Sequence, residues 1–327
     1  MIDLLFSAPS VTEGTADPVA APPSPRPLLT IDRAKGRGPL RFLCVPGLVP
    51  DGPETFLRQR KLLAKFGPAD VVTYPPDRFD LDRALAEMEA YLREDPKVRT
   101  VLVGVSVGGG LCLELLRRAR EAKRPLPLHG VVLISPLTCT ADLSPILSKL
   151  LAPILTEMDK AEAGRPEVAL ERGRSFFKGL ASRSAGTARA QQGWRKVASL
   201  FTPAGLAELV DGRIRKRIEA TLDRITPAGA VQRVEALRRL PGLGVSRTPY
   251  VEVPTLLLWG AKERHTLDMD GPGTRILCRP DLAVKVFPKA EVHWIYDKDG
   301  EEVPHASLLR HAKAFNRPLK RFLKRIA

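Results

Sequence analysis

Apolar residues along this chain fall into two kinds of run. Phe42–Val45, Val71–Tyr74, Val101–Val105, Val131–Ile134, Thr255–Trp259 and Val284–Phe287 are short stretches, dense in apolar residues. Each has the length of a strand, and such continuity in place of strict alternation predicts strands buried on both faces. Between them the spacing changes to that of helices. Leu81, Leu85, Met88 and Leu92 mark a helix over Asp80–Glu94, and Leu111, Cys112, Leu115 and Leu116 mark one after the third strand. Glu54–Phe66 reads as another. A last helix is expected to begin near Pro304, with Glu301 and Glu302 ahead of it and basic residues at its end, as the helix dipole favours. Strands alternating with helices predict an α/β domain: a mostly parallel central sheet covered by helices on both faces.

Two segments break this rhythm. Residues 1–27 contain a Pro-, Ala- and Ser-rich stretch and read as a flexible N-terminal arm. Residues 139–250 show no strand pattern but carry helical stretches such as Ser144–Met158 and Arg213–Ile225. They read as a helical cap, or lid, inserted into a core formed by residues 28–138 and 251–327. No internal repeat is present.

Composition narrows the class. In 327 residues, 44% are apolar, enough for a sizeable core in one large domain or in a core domain that carries a second, smaller one. No apolar run is long enough for a membrane-spanning helix, and the N-terminal stretch lacks the basic region and apolar length of a signal peptide. Cys44, Cys112, Cys139 and Cys278 are widely spaced among apolar neighbours and read as buried small hydrophobes in a reducing compartment. The chain therefore reads as cytosolic. Its net charge of +15 is mostly arginine spread along helices, without the interleaved aromatics of a nucleic-acid binder, so a solvated surface is expected and no nucleic-acid partner. Neither H-E-x-x-H nor a Walker loop is present, nor G-x-G-x-x-G after a strand, so no metal or redox cofactor is implied.

The chemistry centres on Gly104-Val105-Ser106-Val107-Gly108. G-x-S-x-G alone is a weak signal, but here it directly follows one predicted strand and opens the next helix. Such a tight strand-to-helix turn forces its serine into a strained backbone conformation that needs glycine two residues to either side. The hydroxyl then stands at the helix N-terminus, where developing negative charge is stabilised. Ser106 is the candidate nucleophile.

With Val45-Pro46-Gly47-Leu48, Leu257-Leu258-Trp259-Gly260-Ala261-Lys262-Glu263 and Val286-Phe287-Pro288-Lys289-Ala290-Glu291-Val292-His293, this motif resembles the α/β-hydrolase superfamily over roughly residues 40–325. The resemblance implies a triad in the order nucleophile, acid, histidine. The family's Gly-x-x-Asp slot reads Gly260-Ala261-Lys262-Glu263, making Glu263 the candidate acid, with Asp268, Asp270 and Asp142 as alternatives. The base should follow the last strand: His293 is the candidate, although Val292 stands where the family has glycine, and His305 is the alternative. His129, His265 and His311 complete the histidines. The resemblance also implies an oxyanion hole from the backbone N–H groups of Val107 and Leu48.

These residues imply cleavage of an ester or thioester through an acyl-enzyme. Two readings stay open beside it: acyl transfer to an alcohol or amine by the same triad, and a non-catalytic binding module. Serine at the elbow argues against dehalogenase and epoxide hydrolase chemistry, for which the family uses aspartate. Between Cys139 and Tyr250 there are 19 Lys and Arg against 11 Asp and Glu, a surplus of +8. A basic lid suits an acyl group carried on CoA, a carrier protein or an anionic lipid. Oligomeric state is not legible.

Overall fold

A computed structural model describes residues 27–47, 52–149, 212–243, 248–309 and 311–327, with isolated positions between 150 and 211. In chain order the core begins with strands β1 (Thr30–Asp32) and β2 (Leu40–Val45), then short helices α1 (Gly52–Thr55) and α2 (Arg60–Leu63). Strand β3 (Ala69–Thr73), helix α3 (Leu81–Arg93), strand β4 (Arg99–Val105), helix α4 (Val107–Glu121) and strand β5 (Leu128–Ile134) follow. Helices α5 (Gly212–Arg224) and α6 (Pro227–Arg238) precede strand β6 (Thr255–Gly260). Helices α7 (Thr274–Leu277) and α8 (Pro280–Val286), strand β7 (Ala290–Ile295) and helix α9 (Ala312–Ile326) complete the chain.

The seven strands form one sheet in the order β1-β3-β2-β4-β5-β6-β7. All neighbours run parallel except β1, which pairs antiparallel with β3 at one edge. Because the strands carry apolar side chains on both faces, two cores form. Leu43, Leu102, Leu133 and Leu257 pack with α3, α4 and α8 on one face. Phe42, Val103, Val132 and Leu258 pack with Phe315, Leu319 and Phe322 of α9 on the other. The chain winds from β2 to β3 in one direction and then back past β2 to β4, so the winding reverses between β2 and β4. The carboxyl ends of strands flanking such a switch form the crevice in which open α/β sheets bind ligands.

Three expectations are corrected. Val284–Phe287 does not form a strand: Pro280 opens helix α8, Asp281 sits in its first turn and Lys285 in its last, so a short apolar run that periodicity alone leaves ambiguous is helical. The strand lies one step later, at Ala290–Ile295, where only Ile295 is fully buried and the apolar run is diluted. The expected helix over Glu54–Phe66 is two single-turn helices joined by turns, with Gln59 N–H donating to the Phe56 carbonyl at 3.0 Å. The terminal helix begins at Ala312, leaving Pro304 and His305 in a loop. Residues 1–26 of the expected arm lie outside the described residues, as does about half of Ser144–Met158, of which 145–149 are helical.

The described part of the insertion rests on the carboxyl edge. Thr226 caps α6 by accepting from Gly229 N–H at 3.1 Å, and Gly229 lies so close to the Pro76 carbonyl that a Cβ there would stand 2.3 Å away. Arg233 donates to the Pro75 carbonyl at 2.9 Å. Leu240 and Leu243 are buried with Tyr74, Phe79 and Leu137 in the core.

Candidate active site

Strand β4 is buried almost throughout and delivers Ser106 at its carboxyl end with φ 52° and ψ −121°. Positive φ is costly for any residue with a Cβ, and it persists here because the surroundings over-determine it. The Ser106 N–H donates to the Ile134 carbonyl at 2.9 Å, and the Ser106 carbonyl accepts from Leu137 N–H at 3.0 Å. The flanking glycines are required for space. A Cβ on Gly104 would lie 2.7 Å from the Gly109 Cα, and one on Gly108 would lie 2.2 Å from the Pro46 carbonyl oxygen. Helix α4 starts at Val107, whose N–H belongs to the unpaired first turn.

Glu263 begins the single 3₁₀ turn that follows β6, and it is fully buried. Its Oε1 accepts from Gly260 N–H at 2.9 Å and from the Ser135 hydroxyl. Its Oε2 lies 2.5 Å from His305 Nδ1. The opposite ring nitrogen, His305 Nε2, lies 3.0 Å from Ser106 Oγ. A carboxylate only accepts, so Nδ1 carries the ring proton and Nε2 is left to accept from the serine hydroxyl. The three side chains form a continuous relay from a buried carboxylate to a hydroxyl at the helix N-terminus.

The loop that carries His305 is pressed against β6. Lys262 N–H donates to the Val303 carbonyl at 2.9 Å, Gln59 Nε2 donates to the Leu308 carbonyl at 3.1 Å, and Val303 and Leu308 are buried. A Cβ on Gly260 would stand 2.5 Å from the Pro304 carbonyl oxygen, so glycine permits this approach.

His293 stands elsewhere. It lies within β7, its side chain 37% exposed and 3.6 Å from Glu291, with no hydrogen bond to Ser106 or Glu263. The expectation of His293 beside Ser106 followed from placing the last strand at Val284–Phe287. With the strand at 290–295, the chain turns at Asp297–Gly300, Tyr296 bridges back to Glu302, and the first histidine to return to the carboxyl edge is His305.

The alternative acids have other partners. Asp142 is fully buried and accepts from Thr138 N–H and Oγ1 and from the N–H groups of Gly273 and Thr274, at 2.5–3.2 Å. It ties the segment after β5 to the loop before α7. Asp268 accepts from Asp270 N–H at 3.0 Å, and neither is bonded to His305. His265 follows Glu263 by two residues, and burial together with Arg264 and Lys262 holds its pKa below the ordinary value. His129 bonds the Ile326 carbonyl, and His311 bonds Ser307. Leu48 lies outside the described residues, while Gly47 approaches Ser106 closely. All four cysteines are buried, and burial raises the thiol pKa of Cys44, Cys112 and Cys278. No group of metal-ligating side chains occurs among the described residues, and no helix there is long and apolar enough to cross a membrane. Ser135 escaped the sequence reading because no motif marks it.

A family model described as the alpha/beta hydrolase family matches residues 42–316. Among solved structures, an esterase from Rhodococcus sp. is similar with a TM-score of 0.59 at 14% identity, over 91% of this chain and 96% of the other. A thermophilic esterase from Thermogutta terrifontis gives 0.54 at 14%, over 91% and 93%. An epoxide hydrolase from Bacillus megaterium gives 0.52 at 12%, over 90% and 96%. No curated protein matches the chain.

Proposed function

Because the chain belongs to the alpha/beta hydrolase family, we propose that it is a serine hydrolase that cleaves a carboxylic ester or thioester through an acyl-enzyme, with Ser106, His305 and Glu263 as its triad. The observation that carries this reading is the unbroken relay Glu263–His305–Ser106, with contacts of 2.5 and 3.0 Å. Ser106 Oγ attacks the substrate carbonyl while His305 Nε2 takes the hydroxyl proton. Glu263 holds the ring in the required tautomer and stabilises the imidazolium. The tetrahedral oxyanion is received by Val107 N–H and by a second backbone donor from the loop after β2. His305 then gives its proton to the departing alcohol or thiol. Water, deprotonated by the same nitrogen, attacks the acyl group and releases the acid and free Ser106. Acyl transfer differs only in an alcohol or amine taking the place of that water.

Helices α5 and α6 rest beside the carboxyl edge, which supports residues 139–250 as a lid that sets acyl-chain selectivity. Their basic surplus supports an anionic acyl carrier such as CoA. The test is covalent labelling with a fluorophosphonate probe alongside p-nitrophenyl butyrate turnover. Wild type and His293→Ala should label and turn over, whereas Ser106→Ala and His305→Ala should do neither; loss of a triad member costs on the order of 10⁶ in kcat. Turnover near the wild-type rate in Ser106→Ala would defeat the assignment. A wild-type chain that neither labels nor turns over any ester or thioester tried would favour the binding-module reading.

A further inference from the structure

Ile134-Ser135-Pro136-Leu137, which ends β5 and leaves it, is bonded to Ser106, to Glu263 and to Ala306, the residue after His305. The Ile134 carbonyl and the Leu137 N–H grip the Ser106 backbone from both sides, at 2.9 and 3.0 Å. The Pro136 ring lies where a Cβ on Gly109 would stand, at 2.7 Å, so it also fixes the first turn of α4. Between these contacts sits Ser135, fully buried, with a φ of 46°. Its N–H is bonded to the Leu258 carbonyl at 2.8 Å. Its hydroxyl donates to Glu263 Oε1 and accepts, at 3.2 Å, from the N–H of Ala306, the residue after His305. Ala306 itself has a φ of 44°, so Ser106, Ser135 and Ala306 are all non-glycine residues held at positive φ.

We propose that Ser135 is a positioning residue for the Glu263–His305 pair, an inference that rests on the triad reading above. Its hydroxyl performs two tasks with one oxygen. As donor it fixes the rotation of the Glu263 carboxyl, so that Oε2 faces His305 Nδ1. As acceptor it holds the backbone of the His305 loop at the distance that this contact needs. Gly260 N–H also reaches Oε1, but from the strand that precedes Glu263, so it sets the acid without reference to the histidine. Among the described residues, Ser135 alone supplies a side chain bonded to both sides of the Glu263–His305 contact. Strained backbone at Ser135, in a chain where φ near 46° favours glycine, is consistent with retention of the hydroxyl for its contacts.

The experiment compares Ser135→Ala and Ser135→Gly, each alone and with Glu263→Ala, in p-nitrophenyl butyrate turnover and thermal unfolding. Both single variants should lower kcat about tenfold to a hundredfold, the effect of leaving a buried polar partner unpaired. KM should stay within about twofold, because ground-state binding is untouched. Glycine adopts the positive φ without strain, so Ser135→Gly should fold even where alanine costs stability. Once Glu263→Ala has removed the acid, loss of the Ser135 hydroxyl should cost no further activity, as expected of coupled groups. The proposal is overturned if Ser135→Gly keeps wild-type kcat, or if the Ser135 substitutions cost as much in the Glu263→Ala background as alone. Full turnover in Ser106→Ala, by contrast, would remove the triad reading and this inference with it.

Discussion

Replacing Glu263 with glutamine changes one atom in a fully buried group, and the hydrogen bonds around it dictate the outcome. Three donors converge on this carboxylate: Gly260 N–H and the Ser135 hydroxyl on Oε1, and His305 Nδ1–H on Oε2. A glutamine has one accepting oxygen and one donating nitrogen. Gly260 N–H is fixed by the backbone, so the amide oxygen turns toward it and the NH₂ group faces His305. A donor facing Nδ1 selects the other tautomer, in which Nε2 carries the proton. That proton points at Ser106 Oγ, and the base that should accept the serine proton is already occupied. In a serine protease triad, the corresponding acid-to-amide change costs about 10⁴ in kcat with the geometry intact. The same loss is expected here and corresponds to about 5.4 kcal/mol in the barrier. The assay is steady-state and burst kinetics of p-nitrophenyl butyrate with the variant and wild type at equal active protein. KM should change little, and far-ultraviolet circular dichroism should match. A fall in kcat smaller than about tenfold would mean that His305 takes its orientation from elsewhere, and the tautomer argument would fail.

Gly260→Ala should lower kcat more than it lowers stability, because its Cβ would lie 2.5 Å from the Pro304 carbonyl oxygen and push the His305 loop away from β6. An alanine variant with wild-type kcat would show that the loop adjusts freely. Neutralising Arg213, Arg215, Lys216 and Arg217, which lie on α5 with Lys216 exposed, should raise KM for an acyl-CoA at low salt and barely alter it for a neutral p-nitrophenyl ester. Equal effects on both substrates would mean a solvated helix face.

The central strands were legible because both their faces are covered: β2, β4, β5 and β6 carry near-continuous apolar residues, and their limits lie within three residues of those read from the pattern. The edge strands were not. β1 has three residues with none buried, and β7 keeps only Ile295 fully buried, so neither shows the signature of a covered strand. Misplacing β7 carried through to the candidate base. Ser106 and Glu263 are specified by local features, a glycine-flanked turn and the residues just beyond a strand, and the sequence shows both. The place of the histidine depends on how the chain returns after β7, through the turn at Asp297–Gly300 and the Tyr296–Glu302 bridge. That return is fixed by pairing across space and by the close approach that Gly260 allows, and no spacing rule in the sequence encodes it. Ser135 was invisible for the same reason: its role arises only where β5, β6 and the His305 loop meet.

Under the proposed function, chemistry and substrate choice fall to different parts of the chain. Every hydrogen bond of the relay, and those of Ser135, comes from the ends of β4, β5 and β6 with the turns beyond them or from the loop between β7 and α9, against a core whose side chains are closely packed. The segment between β5 and β6 leaves and rejoins this frame at two roots, and between them α6 rests on it through Gly229 and Arg233. At the first, the buried Asp142 carboxylate takes four donors, and a Cβ on Gly273 would stand 2.0 Å from Thr138 Oγ1, so the chain leaves β5 along a tightly fixed path. At the second, Leu240, Leu243 and Tyr250 are buried in the core ahead of β6. Between the roots the segment still meets the frame: Leu222 of α5 and Ile225 just beyond it pack with Leu57 and with Leu309 of the His305 loop, so a substitution on that face acts on the loop as well. Under the proposed function, side chains of this segment that bind substrate equally in the ground and transition states alter KM and leave kcat unchanged, whereas those whose contacts strengthen in the transition state alter kcat.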